Sequence, residues 1–346
     1  MSRVIALDAM GGDDAPAVVV QGARRALEER PGLRFLLFGD RRKLEPLLAS
    51  GPSEAFTVRH TEEFVPNDAR PSLALRQGRN SSMRLAIEAV KSGEADAAVS
   101  AGNTGALMAM AKFVLRTLPG IDRPAIVTTL PGRNGPYVML DLGANVDCDA
   151  EHLLQFAVMG EAYARAVLGK DRPQVALLNI GTEEIKGEGI VRKAATAIRE
   201  RLPQIAYVGF VEGDDVMRGE VDVVVTDGFT GNVALKIAEG ASRLYSSSLA
   251  EAFRSSVSAR LGYLLARRAL ERVRGRLDPR RYNGAMFVGL NGVVVKSHGG
   301  TDAFGFACAI TAAARLVESR TNERIIAEMR GLGGSDEAVA ARVTAP

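Results

Sequence analysis

The stretch 222–236, D-V-V-V-T-D-G-F-T-G-N-V-A-L-K, joins a short apolar run to a run of helix-forming residues through a glycine turn. The β-branched run 223–225 predicts a buried strand, and the residues from Val233 onward predict a helix that ends near Gly240. Backbone N–H groups at the start of such a helix lie free at the positive end of its dipole, where anions and most often phosphates bind. The candidate residues of this turn are Asp227, Gly228, Thr230, Gly231 and Asn232.

The same pattern occurs earlier in the chain. Residues 96–105, D-A-A-V-S-A-G-N-T-G, align with 222–231 at a constant offset of 126 residues, and one aspartate, one valine, one threonine and both glycines match identically. Each turn by itself is also compatible with a tight strand–helix connection that binds nothing. Two such turns in register favour a shared anion site. The candidates in the earlier turn are Ser100, Gly102, Asn103, Thr104 and Gly105.

Three other predicted strands end in polar glycine turns, at the position where ligands bind in open α/β sheets. For the first of these turns, simple turn and cap chemistry is the alternative interpretation. D-A-M-G-G-D supplies Asp8, Gly11 and Gly12, D-L-G-A-N supplies Asn145, and K-S-H-G-G supplies Lys296 and His298.

The loop N-I-G-T-E-E-I-K-G, residues 179–187, follows a further predicted strand. Its Lys186 lies between two glycines a few residues past the strand end, where an ammonium group can pair with a phosphate as a point charge. Thr182 is a second candidate in the same loop. The alternative is a solvated lysine beside two glutamates.

The whole chain has the composition of a large α/β protein. Its 346 residues suit one large unit or two lobes, which we assign to residues 1–330, and the glycine-rich and alanine-rich segment 331–346 is expected to be a flexible tail. The near balance of 44 basic and 41 acidic residues gives no indication of nucleic-acid binding. Cys148 and Cys308 stand alone, so neither a disulfide nor a metal site is expected. The chain contains no signal-peptide pattern and no apolar run of the ~20 residues that a membrane span needs.

The segment 240–285 differs from the rest of the chain because it combines apolar residues at helical spacing with many arginines. A basic amphipathic helix can lie on an anionic membrane surface or receive an acidic protein. The alternative is a helical hairpin that packs on the core or on a second subunit. The candidate contact residues are Arg260, Leu261, Leu264, Arg267, Arg268 and Arg272.

Six motifs in order resemble the PlsX family, the bacterial phosphate acyltransferases of phospholipid synthesis. They are D-A-M-G-G-D, S-A-G-N-T-G-A-L-M, D-L-G-A-N, N-I-G-T-E-E-I-K-G, G-F-T-G-N and N-G-V-V-V-K-S-H-G, and the resemblance extends to about Arg330. Asp14 stands where the family usually has a histidine, so we assign no acid–base role to that position. Arg79 stands where a lysine is common.

The resemblance implies a three-layer α/β/α sandwich similar to the phosphotransacetylases and isocitrate-dehydrogenase-like enzymes, working as a homodimer. It implies that acyl-[acyl carrier protein] and inorganic phosphate give acyl phosphate and free carrier protein, without a cofactor or metal. The protein would be cytoplasmic, with peripheral association to the inner face of the cell membrane. Three alternatives stay open, namely a coenzyme A-dependent phosphotransacetylase, a nicotinamide-dependent dehydrogenase and a non-catalytic membrane scaffold.

The resemblance also supports roles for single residues. Lys186 would bind phosphate and offset developing charge, and Asn232 would donate to the thioester carbonyl oxygen. The earlier turn, with Ser100, Asn103 and Thr104, would form the other wall of the site, while Lys296 and His298 would add charge or orientation.

Overall fold

The structure is a computed structural model that describes residues 2–49 and 53–332; most of the predicted tail lies outside this range. Its described part contains one eleven-stranded mixed sheet with helices on both faces. The strands are β1 (Arg3–Asp8), β2 (Leu33–Gly39), β3 (Phe56–His60), β4 (Ala97–Ser100), β5 (Ala125–Pro131), β6 (Pro136–Leu140), β7 (Gln174–Leu178), β8 (Ala206–Val211), β9 (Val223–Val225), β10 (Ala285–Val288) and β11 (Val293–Lys296).

The helices alternate with the strands over most of the chain, and two short 3₁₀ turns occur at Ser53–Ala55 and Pro279–Tyr282. They are α1 (Ala17–Glu29), α2 (Arg41–Leu48), α3 (Pro71–Gln77), α4 (Ser82–Ser92), α5 (Thr104–Leu115), α6 (Ala150–Leu168), α7 (Gly189–Arg201), α8 (Gly213–Val216), α9 (Gly228–Arg254), α10 (Val257–Leu277), α11 (Ala303–Glu318) and α12 (Thr321–Leu332).

Two groups of parallel strands make up most of the sheet, whose order is β3-β2-β1-β4-β11-β10-β5-β6-β9-β7-β8. The first strand group comprises β3, β2, β1, β4 and β11, and the second comprises β6, β9, β7 and β8. The strands β10 and β5 run antiparallel to each other and to their outer neighbours, and they join the two groups. In each group the carboxyl ends of adjacent strands lie at one edge.

The strands are apolar on both faces, which produces two cores and three layers. Alternate residues of one strand enter different cores because successive side chains point to opposite faces. In β9, Val223 and Val225 belong to the core under α6, α7 and α11, whereas Val224 belongs to the core under α4 and α5. The three-layer α/β/α architecture predicted from the sequence is therefore confirmed.

Within the sheet, two strand pairs have the same register. Leu7 of β1 lies opposite Val99 of β4, and Leu140 of β6 lies opposite Val225 of β9. Val99 and Val225 are aligned positions of the repeat found in the sequence. Asp8 and Asp141, which follow Leu7 and Leu140, therefore occupy equivalent positions beside the two glycine turns.

The predicted end of a helix at Gly240 is wrong. Helix α9 runs unbroken from Gly228 to Arg254, so the segment 240–285 begins inside it and continues through α10 as a helical hairpin. No side chain lies close to Gly240, and a single interior glycine costs a helix only about 1 kcal/mol. Among the described helices, none combines the length and apolar character that crossing a membrane requires.

Candidate active site

The earlier glycine turn connects β4 to α5. The Asn103 side chain caps the helix by accepting a hydrogen bond from Ala106 N at 2.9 Å, while its amide donates to the carbonyls of Asn67 and Ala69. Thr104 and Gly105 are exposed, and their N–H groups have no acceptor within the helix because they belong to its first turn. This turn therefore presents backbone donors to solvent, with a neutral cap.

A buried carboxylate supports that turn from below. Asp8 is 1% exposed, and its two oxygens accept hydrogen bonds from the hydroxyls of Ser82 and Ser100, each at 2.6 Å. Burial raises the pKa of Asp8, while these hydrogen bonds act in the opposite direction. A side chain at Gly11 would overlap the carboxylate, and one at Gly102 would lie 2.7 Å from Met83 Cε. Asp8 and Gly11 thus shape the turn without reaching its surface.

Lys296 ends β11 and His298 follows it, beside the same turn. Lys296 Nζ donates to the carbonyls of Ser297 and Ala101, the latter at 3.4 Å. Burial lowers the pKa of Lys296 to about 8. His298 is exposed, and its Nδ1 accepts a hydrogen bond from Gly300 N at 3.2 Å, which leaves Nε2 to carry the proton of the neutral ring. Gly12 packs against this segment, with its φ of 112° in a region that favours glycine.

The second glycine turn connects β9 to α9 and uses its N–H groups differently. The Asp227 carboxylate caps the helix by accepting from Thr230 N at 2.8 Å, and Gly231 N donates to the Asp227 carbonyl. Gly228 N donates to the carbonyl of Asn145 at 2.7 Å. This turn therefore holds its own negative charge, and most of its first donors are engaged within the protein.

Asp141 supports the second turn as Asp8 supports the first. Its buried carboxylate accepts hydrogen bonds from the N–H groups of Ile126 at 2.9 Å, Ala144 at 3.1 Å and Asn145 at 2.7 Å. Burial raises the pKa of Asp141, and the donors oppose that effect. A side chain at Gly228 would lie 2.8 Å from the Asp141 carboxylate. Asp141 was not among the residues predicted for the site; the L-D pair at the end of β1, which occurs again as the last residue of β6 and the one after it, is the signal that could have identified it.

Asn145, predicted to bind substrate, and Asn232, predicted as the catalytic donor to the thioester oxygen, have different surroundings. Asn145 is 8% exposed, and its amide donates to the Pro124 carbonyl at 2.8 Å and to Asp141 at 2.9 Å. Its position is therefore a structural one within the second turn. Asn232 is exposed in the first turns of α9, above Gly143. Its side chain is therefore open to solvent.

The Lys186 loop follows β7, which is the neighbour of β9 in the sheet. Lys186 Nζ pairs with Glu183 at 2.8 Å on the surface, and this partner raises the pKa of Lys186. The Asn179 side chain donates to the carbonyls of Gly181 and Lys186 and so holds the loop closed. Thr182 is exposed at its tip. An incoming phosphate would compete with Glu183 for the ammonium group.

The predicted site residues thus form two clusters, one in each strand group. The first contains Asp8, Gly11, Gly12, Ser100, Gly102, Asn103, Thr104, Gly105, Lys296 and His298. The second contains Asn145, Asp227, Gly228, Thr230, Gly231 and Asn232, with the loop of Thr182 and Lys186 on the adjacent strand. Cys148 lies under the second turn, where burial raises its pKa to about 11, so its thiol is not an activated nucleophile.

The hairpin of α9 and α10 carries the candidate docking residues. Arg260, Leu261, Leu264, Arg267, Arg268 and Arg272 are all exposed. Leu265 beside them is 90% exposed, and Val257 is 74% exposed. Phe253 contacts Tyr263 edge-on with ring centres 5.4 Å apart, which joins the two helices near the tip. The hairpin therefore presents a mixed apolar and basic surface.

The architecture is that of the phosphotransacetylases and related dehydrogenases. A phosphotransacetylase from Streptococcus pyogenes matches with a TM-score of 0.64 at 20% identity, over 92% of this chain and 94% of that chain. A branched-chain phosphotransacylase from Enterococcus faecalis V583 gives 0.57 at 15% identity, over 92% and 99%. A 4-hydroxythreonine-4-phosphate dehydrogenase from Klebsiella pneumoniae gives 0.54 at 16% identity, over 91% and 100%. These similarities define the class of fold.

Sequence similarity over nearly the whole chain defines the family. The family model described as "Fatty acid synthesis protein" matches residues 3–324. A phosphate acyltransferase from Paramagnetospirillum magneticum is 60% identical over 323 residues, which are 93% of this chain and 92% of that protein. Another, from Rhodospirillum rubrum, is 59% identical over 326 residues, 94% and 93% of the two chains. The chain belongs to this family, the PlsX phosphate acyltransferases that its motifs predicted, and it is an acyltransferase.

Proposed function

We propose that the protein transfers the acyl group of acyl-[acyl carrier protein] to inorganic phosphate, giving acyl phosphate and free carrier protein for phospholipid synthesis. The observation that carries this proposal is the pair of supported glycine turns in a member of the phosphate acyltransferase family. One turn offers neutral backbone donors for an anion. The other presents an exposed amide, Asn232, for a second substrate group.

In this reaction the main task of the protein is to position two substrates. A phosphate oxygen attacks the thioester carbon, the carbonyl oxygen becomes an oxyanion, and the tetrahedral intermediate then expels the carrier thiolate. A thiol of ordinary pKa, near ~8.5, leaves readily, so a strong general acid is unnecessary. Pre-aimed donors at the oxyanion and close placement of the reactants supply the rate acceleration.

The predicted residues receive the following roles. Lys186 exchanges Glu183 for the phosphate and offsets its charge, and Asn232 donates to the thioester oxygen as it becomes negative. Thr104 and Gly105 offer backbone donors to the anion, with Ser100 and Gly102 shaping their turn. His298 Nε2 orients the phosphate from the opposite side. Asp8, Asp141 and Asn145 hold the two turns in place from below.

The mixed surface of the α9–α10 hairpin fits three partners, and we keep all of them in the proposal. Its arginines suit an acidic carrier protein or an anionic lipid surface, which would place the protein in the cytoplasm with peripheral membrane attachment. Its exposed leucines suit a second copy of the chain in a homodimer. We also propose that residues 1–330 act as one two-lobed catalytic domain, since one core includes residues of both strand groups.

The experiment that tests the reaction follows acyl phosphate formation from acyl carrier protein and from acyl coenzyme A at equal concentration. The proposal predicts that the carrier-bound substrate is used with the higher kcat/KM. A preference for the coenzyme A thioester would instead assign the protein to the phosphotransacetylase reaction.

Charge reversal tests the role of the hairpin. Arg267→Glu and Arg268→Glu should raise the KM for acyl carrier protein or weaken binding to anionic liposomes, since each change replaces attraction with repulsion. Lys43→Glu on α2 is the control for an exposed charge elsewhere. If both folded hairpin variants keep the KM for acyl carrier protein and the binding to liposomes unchanged, the arginines of the hairpin contact neither partner.

A further inference from the structure

Lys236 is a cation in α9 that was not among the predicted site residues. It lies four residues after Asn232, so both side chains project from the same face of the helix. Lys236 is exposed and pairs with Glu239 at 3.0 Å, a surface contact of the kind that contributes little. The helix face that carries the proposed thioester donor therefore also carries a positive charge.

Lys296, in the first strand group, has the opposite surroundings. It is partly buried, and in the part of the chain that the structure describes no carboxylate lies within 4 Å of its Nζ. The only hydrogen bonds of its ammonium group there are to two backbone carbonyls. A partly buried cation with no carboxylate in direct contact is costly; Asp8 and Asp13 offset this cost only from beyond contact distance, and an anionic ligand in contact would lower it further.

Three charged groups from different parts of the fold interact with this ammonium group. Asp8 at the end of β1 and Asp13 in the following turn favour the charged form of Lys296, whereas Lys236 from α9 disfavours it. The two lysines are thus close enough to repel each other, although they belong to different strand groups. Two ammonium groups within interaction range of each other are suited to share one anion, since a dianion can accept hydrogen bonds from both.

We propose that Lys236 and Lys296 together bind the phosphate group that accepts the acyl chain, bridging the two strand groups beside Asn232. The inference rests on the proposed function, and it specifies which side chains hold the phosphate in addition to Lys186. The anion places its oxygens between the two ammonium groups, next to the exposed turn of Thr104. Asn232, one helical turn before Lys236, then lies beside the thioester carbon that the phosphate attacks.

Steady-state kinetics of Lys236→Gln and Lys296→Gln test the proposal. Each change should raise the KM for phosphate about 10-fold or more, because each removes one charged donor from the dianion. The KM for acyl carrier protein should stay within about twofold. Lys43→Gln on α2, which removes an exposed charge far from the site in sequence, should change neither constant. A rise confined to the KM for acyl carrier protein would show that the two lysines contact the thioester substrate, and it would overturn the assignment. Unchanged KM values for phosphate in folded variants would overturn it too.

The pH dependence supplies a second readout that loss of structure alone would not produce. Since the pKa of Lys296 is lowered to about 8, its charged form is present below that pH and is lost above it. The KM of the wild type for phosphate should therefore rise above pH 8. Lys296→Arg should bind phosphate up to higher pH, because a guanidinium group does not deprotonate there. An alkaline rise that is identical in both proteins would contradict the role of Lys296.

Binding of inorganic phosphate alone separates this inference from the proposed reaction. Phosphate should raise the melting temperature of the wild type and of Lys43→Gln, and it should do so less in Lys236→Gln and Lys296→Gln. A wild type that binds phosphate through both lysines but forms no acyl phosphate would refute the reaction and retain the phosphate site. Equal stabilisation of all variants by phosphate would refute the site and leave the reaction standing.

Discussion

The two glycine turns share a sequence pattern and a strand register, but they differ in their caps. The helix after the first turn begins at Thr104 and is capped by the neutral amide of Asn103. The helix after the second begins at Gly228, two residues earlier in the alignment, and is capped by the carboxylate of Asp227. The first turn therefore has free donors for a bound anion, whereas the second has most of its first donors engaged and presents the exposed amide of Asn232 instead. Repeated glycines conserve the shape of a turn, and the capping residue decides its charge.

The largest expected effect is a difference in the free energy of unfolding between alanine variants of the two turns. A Cβ at Gly231 would overlap the Asp141 carbonyl, which is backbone, whereas a Cβ at the aligned Gly105 would lie 2.7 Å from the Pro71 ring. We expect Gly231→Ala to lower the free energy of unfolding by about 3 kcal/mol or more and Gly105→Ala by about 1 kcal/mol. Denaturant unfolding of both variants measures the difference. Equal losses would show that the turns are equally constrained.

The next effect concerns catalysis at the second turn. Asn232→Ala and Lys186→Ala should each reduce acyl phosphate formation about 100-fold or more, by analogy with the loss of one oxyanion donor. Val233→Ala and Lys193→Ala, at exposed neighbouring positions, are the matched controls. Near-normal turnover of either active-site variant, with its fold retained, would remove that residue from the mechanism.

A smaller effect distinguishes the two buried carboxylates. Asp141 accepts hydrogen bonds from backbone N–H groups, which can only donate. In Asp141→Asn the NH₂ group of the new side chain would face one or more of these N–H groups, and we expect this to cost about 2 kcal/mol. The two hydroxyl donors to Asp8 can rotate and accept from an amide in return, although the N–H groups of Met10 and Gly11 also favour the charged form of Asp8. Asp8→Asn should therefore cost about 1 kcal/mol, less than Asp141→Asn. Thermal unfolding that ranks the two variants in the reverse order would contradict this comparison.

The smallest effect tests where the phosphate binds. Asparagine caps helices as well as aspartate does, so Asp227→Asn removes the charge of the second turn and keeps its cap. If the phosphate binds at the first turn, its KM should change by less than about twofold. A marked fall in the phosphate KM would instead show that the anion lies against Asp227.

Much of the fold and part of the site follow from sequence because their signals are local. The buried strands are short β-branched runs, the turns contain paired glycines, and the offset between the two turns identifies a repeat that the strand register confirms. Position in a loop likewise made Lys186 a candidate, and its role in the site stays a prediction. These features depend on residues close together in the chain.

The remaining features depend on long-range pairing. Asp141 supports the second turn only because β6 pairs with β9, more than eighty residues later, and the sequence alone does not identify that partner. The electrostatic interaction between Lys236 and Lys296 likewise depends on the fold, since the two residues belong to different strand groups. The continuation of α9 past Gly240 reflects the hairpin with α10, which overrides the local preference of glycine for a helix end.

The most direct test of the proposed reaction is the release of carrier thiol from acyl carrier protein, measured with and without inorganic phosphate. The account predicts release that requires phosphate, with one acyl phosphate formed for each thiol. Thiol release at the same rate without phosphate, or phosphate-dependent release without acyl phosphate, would contradict it.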